Sequence, residues 1–375
     1  MATPTPLSPS SHSFPHLDEM GDSQVIQIAT NGDICLEIRK MPGNTKLHLQ
    51  VSSHTLCEAS NRFDREFNSS WKESIERAEA NSAPGEKACV IQLSDDDADA
   101  LILLFHVLHH KIQAVPTKCT PAQLLDLAVV ADKYCCEKPL FPWTSVWLQG
   151  YLEELERGGM TFAESCEILY FSYIMDLPGD FDKISKAILF KYPATAFNEF
   201  PEHFLIRGNI FGKEIDITCA SPAEFKARNV EMFLQIHECM ENGFENIQKK
   251  RCASRAQFIL RIRKALGRSG LWPLSIASQK FSVTETCDKL SEIRLCGAAV
   301  ASALAKRCST CRDWGYSGAS RRQGYCYYPS PVNEEFKSSL MLNLFRLREG
   351  MRGVCLDCVK TSGESGMKHK CRLPH

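Results

Sequence analysis

"LHLQVSSHTLCEASNRFDREF", from Leu47 to Phe67, changes its hydrophobic period halfway along. Leu47, Leu49 and Val51 alternate, as residues do on one face of a β-strand. Leu56, Ser60, Phe63 and Phe67 then recur at helical spacing, with Ser52 or Ser53 where an N-cap belongs. The strand therefore runs directly into a helix.

Upstream, "VIQIATNGDICLEI" (Val25 to Ile38) holds β-formers, an Asn31-Gly32 turn signal, and a second alternating set in Ile34, Leu36 and Ile38. "PGN" at Pro42 to Asn44 turns the chain back into the strand at Leu47, which reads as a β-hairpin. Downstream, "KACVIQL" (Lys87 to Leu93) is a short strand. "SDDDADALILLFHVLHH" (Ser94 to His110) begins with carboxylates suited to the positive end of a helix and turns strongly apolar. Thr120 caps and Pro121 opens the next helix, with Leu124, Leu127, Ala128, Ala131 and Tyr134 as its buried stripe.

The successive blocks "GDICLEI", "LHLQVSSHTLCEASNRFDREF", "VIQLSDDDADALILLFHVLHH" and "LLDLAVVADKYCCEKPLFPW" resemble those of the BTB/POZ family. "VSS" before the first helix and "ADKYCC" in the last block are similar to its large fungal group. The resemblance covers residues 25–147. It implies an α+β domain, a short β-sheet with a cluster of helices, that binds proteins and is not an enzyme. Asp33 matches the Asp of the family's Gly-Asp strand, and it also suits a residue capping the Asn31-Gly32 bend. Ser52 stands where many animal members carry a histidine. Only Ala29 to Gly32 separate the first strand from the Gly-Asp strand, a shorter link than strand-exchanging dimers of the family use. A homodimer stays open.

The resulting division is a disordered Pro/Ser-rich tail at 1–24, the BTB/POZ domain at 25–147, a mainly α-helical region at 148–265, and a basic Cys-rich region at 266–375. No period of about 20 to 50 residues repeats through the helices, which argues against a solenoid. From Arg251 onward 22 Lys+Arg face 9 Asp+Glu, a net +13, so the remainder carries −14 within a total of −1. Such an asymmetry suits either internal pairing of the two parts or contact with nucleic acid, for which Arg261, Arg263, Lys264, Arg268 and "SRRQGYCYY" are the candidate residues.

Six of the 18 cysteines fall between Cys308 and Cys371. Two Cys-x-x-Cys pairs, Cys308 with Cys311 and Cys355 with Cys358, have the spacing that delivers two thiolates to a tetrahedral zinc ion. A helix with Phe336, Leu340, Leu344, Leu347 and Met351 on one face is positioned to carry the second pair back to the first. The expected structural zinc ligands are therefore Cys308, Cys311, Cys355 and Cys358, with Cys326, His369 or Cys371 able to replace one of them or to form part of a second site. A redox pair or plain reduced thiols are the alternatives; two pairs suit a metal better than a single redox couple. Cysteines elsewhere, such as Cys57, Cys166 and Cys239, fall on apolar faces and read as core. The histidine group His106, His109 and His110 lies on a helix, 106 and 110 on one face without the glutamate of a zinc protease, and reads as a helix end.

Neither a phosphate-binding Gly-rich loop nor a dinucleotide fingerprint is present. The longest apolar run, Leu101 to Leu108, is too short to cross a bilayer, and the N-terminus has no basic start or apolar stretch. An intracellular protein with reduced thiols is expected, acting without a membrane, with nucleus and cytoplasm both open. The leading functional expectation is a non-catalytic scaffold that recruits a protein partner. One alternative is a nucleic-acid-binding regulator acting through the basic third. Another is a substrate adaptor of a cullin ubiquitin ligase, although "HHKIQAVPTKC" (His109 to Cys119) lacks the glutamate such adaptors use.

Overall fold

Pro42 and Gly43 turn strand β2 (Ile34–Lys40) into β3 (Thr45–Val51), and the two pair antiparallel with Leu36 opposite Leu49. The computed structural model describes residues 24–43, 45–68, 89–93, 96–199, 222–249, 255–293, 329–361 and 370–373. The expected tail at 1–24 lies outside them except for Gln24. Strand β1 (Gln24–Gln27) passes over its sequence neighbour and pairs parallel with β3, while β4 (Cys89–Gln92) pairs parallel with β2. The sheet order is β1-β3-β2-β4. Ile34, Leu36, Ile38, Leu47, Leu49, Val51 and Ile91 are buried on one face, the alternation expected when one side of a sheet meets a core. The Asn31-Gly32 turn closes no hairpin. Gly32 lies against β3, where a Cβ would stand 2.8 Å from the Val51 carbonyl oxygen, so a residue without a side chain is required.

The helix expected through Leu56 to Phe67 is two helices. Helix α1 (Ser53–Ala59) starts at Ser52, whose Oγ accepts from the Thr55 amide, and ends at Ser60 in extended conformation. Ser60 then opens α2 (Asn61–Asn68): its Oγ accepts from the Arg62 and Phe63 amides and donates to the Tyr134 carbonyl. Asp33 reaches the start of α1, its carboxylate accepting from the Ser53 amide at 2.7 Å and from the Ser53 hydroxyl. Its work is to tie β2 to α1. Asp97 caps α3 (Ala98–Leu108), and Thr120 with Gln123 forms a capping box for α4 (Pro121–Lys133), with Pro121 in its first turn. Helix α5 (Glu137–Leu148) follows, and α3 packs against α4, α5 and β2.

The chain divides into two units, the first running to Gln149 and the second from Gly150 onward. The described part of the second unit is helical: α6 (Tyr151–Arg157), α7 (Phe162–Ile174), α8 (Pro178–Lys191), α9 (Pro222–Gln248), α10 (Arg255–Arg268), α11 (Leu274–Lys280), α12 (Val283–Glu292), α13 (Pro329–Gly350) and α14 (Leu356–Thr361). Helix α8 is its hub, touching α6, α7, α9, α12 and α14. Phe336, Leu340 and Leu344 of α13 are buried, and this helix packs along α9, with Phe336 stacked on Phe244 at 5.5 Å. The helices either side of residue 265 thus belong to one packed unit. The fold is mixed α+β, mostly helical, with one small four-stranded sheet among the described residues. No helix among them is long and apolar enough to cross a membrane.

Candidate functional site

Gly353 decides where the C-terminal cysteines sit. Its backbone presses on α8 so closely that a Cβ would fall 1.9 Å from the Asp182 carbonyl oxygen and 2.4 Å from Ser185 Oγ. The next residue, Val354, donates its amide to Ser185 Oγ at 2.7 Å, and Arg228 of α9 donates to the Gly353 carbonyl at 3.2 Å. The chain is therefore pinned before it reaches Cys355. Cys358 follows inside α14, and the Val359 amide donates to the Cys355 carbonyl, so the Cys-x-x-Cys pair is shaped by one helical turn.

Cys371 comes back onto this pair. The thiol sulfurs of Cys355, Cys358 and Cys371 all lie within 4.8 Å of one another, and Cys358 and Cys371 are 3.6 Å apart. Arg372 holds the returning segment in place. Its amide and Nε donate to Asp357 at 2.6 and 2.8 Å, and its Nη1 and Nη2 donate to Asp176 at 2.6 and 2.9 Å. Lys360 adds a 2.7 Å contact to Asp176 and lies over the Tyr173 ring. Asp176 turns just beyond α7 with φ 55°, a left-handed conformation that aspartate tolerates better than most residues. The guanidinium of Arg372 holds the carboxyl groups of both Asp176 and Asp357 below their usual range.

Burial, then the neighbouring thiols, push the Cys358 thiol up to about 12, and Cys371 is raised as well. Three thiolates this close repel one another unless a cation stands between them. Two sulfurs on one tetrahedral zinc stand about 3.8 Å apart, as follows from a Zn–S bond of about 2.3 Å. The observed spacing fits such an ion, so these residues could hold one thiophilic metal. Cys308 and Cys311, the other half of the expected ligand set, lie outside the described residues, as do Cys326 and His369. The signal that would have promoted Cys371 is its neighbour Arg372, whose partner Asp176 is remote in sequence.

Several other singled-out residues have structural work. Cys119, Cys136 and Cys166 are buried, and burial raises each thiol pKa, to about 11 for Cys119 and about 12 for Cys136. Arg263 stacks over Phe244 and Trp272 and pairs with Glu241 at 3.2 Å, while Lys264 and Arg268 are exposed. "SRRQGYCYY" lies outside the described residues. His110 follows α3 at φ 56°, so it leaves the helical face of His106.

His109, expected only to end a helix, joins sheet to helix. Its Nε2 accepts from the Ser52 amide at 3.0 Å and its Nδ1 donates to the Phe105 carbonyl at 2.9 Å. That pair of bonds requires a neutral ring. Burial, and then the nearby Lys111, His106 and His110 charges against a partial offset from Phe105, depress its pKa below the ordinary 6.5. The unfolded chain takes up this proton first, so the stability is complete above pH 6.5 and is lost as pH falls through the folded value. Thermal melts between pH 7.5 and 5 should show a decline that His109→Ala reduces, at a cost of about 1–3 kcal/mol at neutral pH. An equal decline in both proteins contradicts the assignment.

The first unit also carries an open groove of about 620 Å³ between α1, the end of α3 and α5. Thr55, His106, Ile112, Val115, Trp143 and Val146 line it. Of these, Ile112 is 66% exposed and Val146 37% exposed. Large apolar side chains left in water at one place suit contact with a protein surface. No family model, no curated protein and no solved structure matches the chain.

Proposed function

We propose that this protein is a non-catalytic interaction scaffold of the BTB/POZ type that recruits a protein partner through its first unit. The observation that carries the reading is the make-up of that unit: strands β1 to β3, helices α1 and α2, strand β4, then α3 to α5, in the order of the resembling blocks, with an exposed apolar groove. Ile112 and Val115 of the "HHKIQAVPTKC" segment give the groove apolar contacts, and the carboxylate that lines it, Glu58, lies on α1 outside that segment. A partner with an apolar helix or strand is better matched to it than one recognised through a glutamate, so cullin adaptation ranks second. The thiol cluster of the second unit takes a zinc ion that stabilises it.

The test is affinity enrichment with the full chain and with an Ile112→Glu/Val146→Glu variant, each checked for an unchanged melting temperature. Partners bound by the parent and reduced at least 10-fold on the variant are the expected result. An identical set from both proteins rejects the groove as the binding face. Recovery of a cullin with the parent, lost on the variant, moves the reading to the adaptor.

A further inference from the structure

We propose that Cys355, Cys358 and Cys371 form a three-thiolate zinc site that latches residues 370–373 onto α14. The site deepens the zinc part of the function proposed above and is independent of its BTB part. It differs from the sequence-derived set, which paired Cys355 and Cys358 with Cys308 and Cys311, by taking Cys371 as the third ligand.

Two observations carry it. All three sulfurs are within 4.8 Å of one another, inside the reach of a single ion. Both ends of the site are anchored independently of any metal: Cys355 by Gly353 and Val354 against α8, and Cys371 by the Arg372 fork on Asp357 and Asp176. A preformed site costs less ordering on metal entry than one assembled from loose loops. As three Zn–S bonds form, three thiol protons leave to solvent and the divalent ion takes their place.

The experiment is elemental analysis of zinc in the full chain, purified under reductant and desalted after zinc supplementation. Five proteins are compared: the parent, Cys371→Ser, Cys355→Ser, Cys308→Ser/Cys311→Ser, and Cys239→Ser as a control in α9. The expected result is one zinc fewer per chain in Cys371→Ser and Cys355→Ser, with that zinc kept in the control. The double variant should keep it too. If Cys371→Ser holds as much zinc as the parent, the three-thiolate site is wrong and the zinc reading survives. If one zinc is lost both from Cys371→Ser and from the double variant, the site is not confined to these three residues and the proposal fails. A parent without zinc removes both this site and the zinc reading, leaving the groove untouched.

Because a lost ligand can also unfold the chain, a second variant spares all three sulfurs. Arg372→Ala removes the clamp, and chelator competition should show zinc held about 10–100-fold more weakly, the range for outer residues that orient a ligand. Unchanged affinity would show that the fork does not position Cys371, and would overturn the latch.

Discussion

Replacing Gly353 by alanine should lower the melting temperature by roughly 6–12 °C and release the cysteine segment from α8. The new methyl group would stand 1.9 Å from the Asp182 carbonyl oxygen and 2.4 Å from Ser185 Oγ. The nearer obstacle is backbone within a helix, so it cannot swing aside as the end of a side chain can. Either α8 bends or the Gly353 strand lifts off, which breaks the Val354 bond to Ser185 and the Arg228 bond to the Gly353 carbonyl. Overpacking of this kind costs about 3 kcal/mol, and each kcal/mol moves the melting point of a domain this large by about 2–4 °C. Circular dichroism melts measure the shift, and trypsin cleavage after the exposed Arg352 and Lys360 should quicken. Gly267 is the internal control. It lies inside α10, with nothing within 4 Å of the place an alanine methyl would take, so Gly267→Ala should stabilise by up to about 1 kcal/mol. A Gly353→Ala protein that melts within a degree of the parent would remove the close contact from the account.

Phe63→Ala should be comparably severe, in the first unit. The Phe63 ring is fully buried, stacked at 4.6 Å and 5° on Tyr134 and at 5.6 Å and 13° on Phe67, with Phe105 tilted at 6.1 Å. Tyr134 is held from its other sides: its hydroxyl donates to Asp96 at 2.6 Å, and Arg62 lies 5.2 Å from its ring centroid. Those bonds keep Tyr134 from moving into the space left by the lost ring, so a cavity remains. Truncating a buried phenylalanine costs about 3–5 kcal/mol, and a midpoint value corresponds to a melting temperature lower by roughly 8–16 °C. Partner binding through the groove should fall with the folded fraction, because α1 and α3 supply its walls. A loss under about 1 kcal/mol would show that the neighbours collapse and that the stack is not the keystone of the unit.

Much of the fold was legible because short-range energies write themselves into neighbouring residues. The alternation through Leu36 and Leu49, the caps at Ser52 and Thr120, the stripe through Phe63 and Phe67, and the face of Phe336, Leu340 and Leu344 each follow from a few adjacent side chains. The Cys355–Cys358 pair was legible for the same reason, since one turn of chain sets its bite.

Other features depend on what packs against them. Ser60 continues a helical stripe as well as any residue; it breaks the helix because the Tyr134 carbonyl, 74 positions away, accepts its hydroxyl proton. Strand β1 pairs with β3 because β2 already lies between β3 and β4, and nothing in "VIQI" declares that choice. Asp33 and His109 look like turn and helix-end residues until the start of α1 is placed between them. Cys371 joins Cys355 and Cys358 because Arg372 finds Asp176, 196 positions earlier in the chain. The sequence by itself determined periods, caps and turns, whose energies are spent within one or two turns of backbone. Only the tertiary structure decided the strand order, the helix break and the third thiol, because each depends on a contact between groups that chain spacing leaves unrelated.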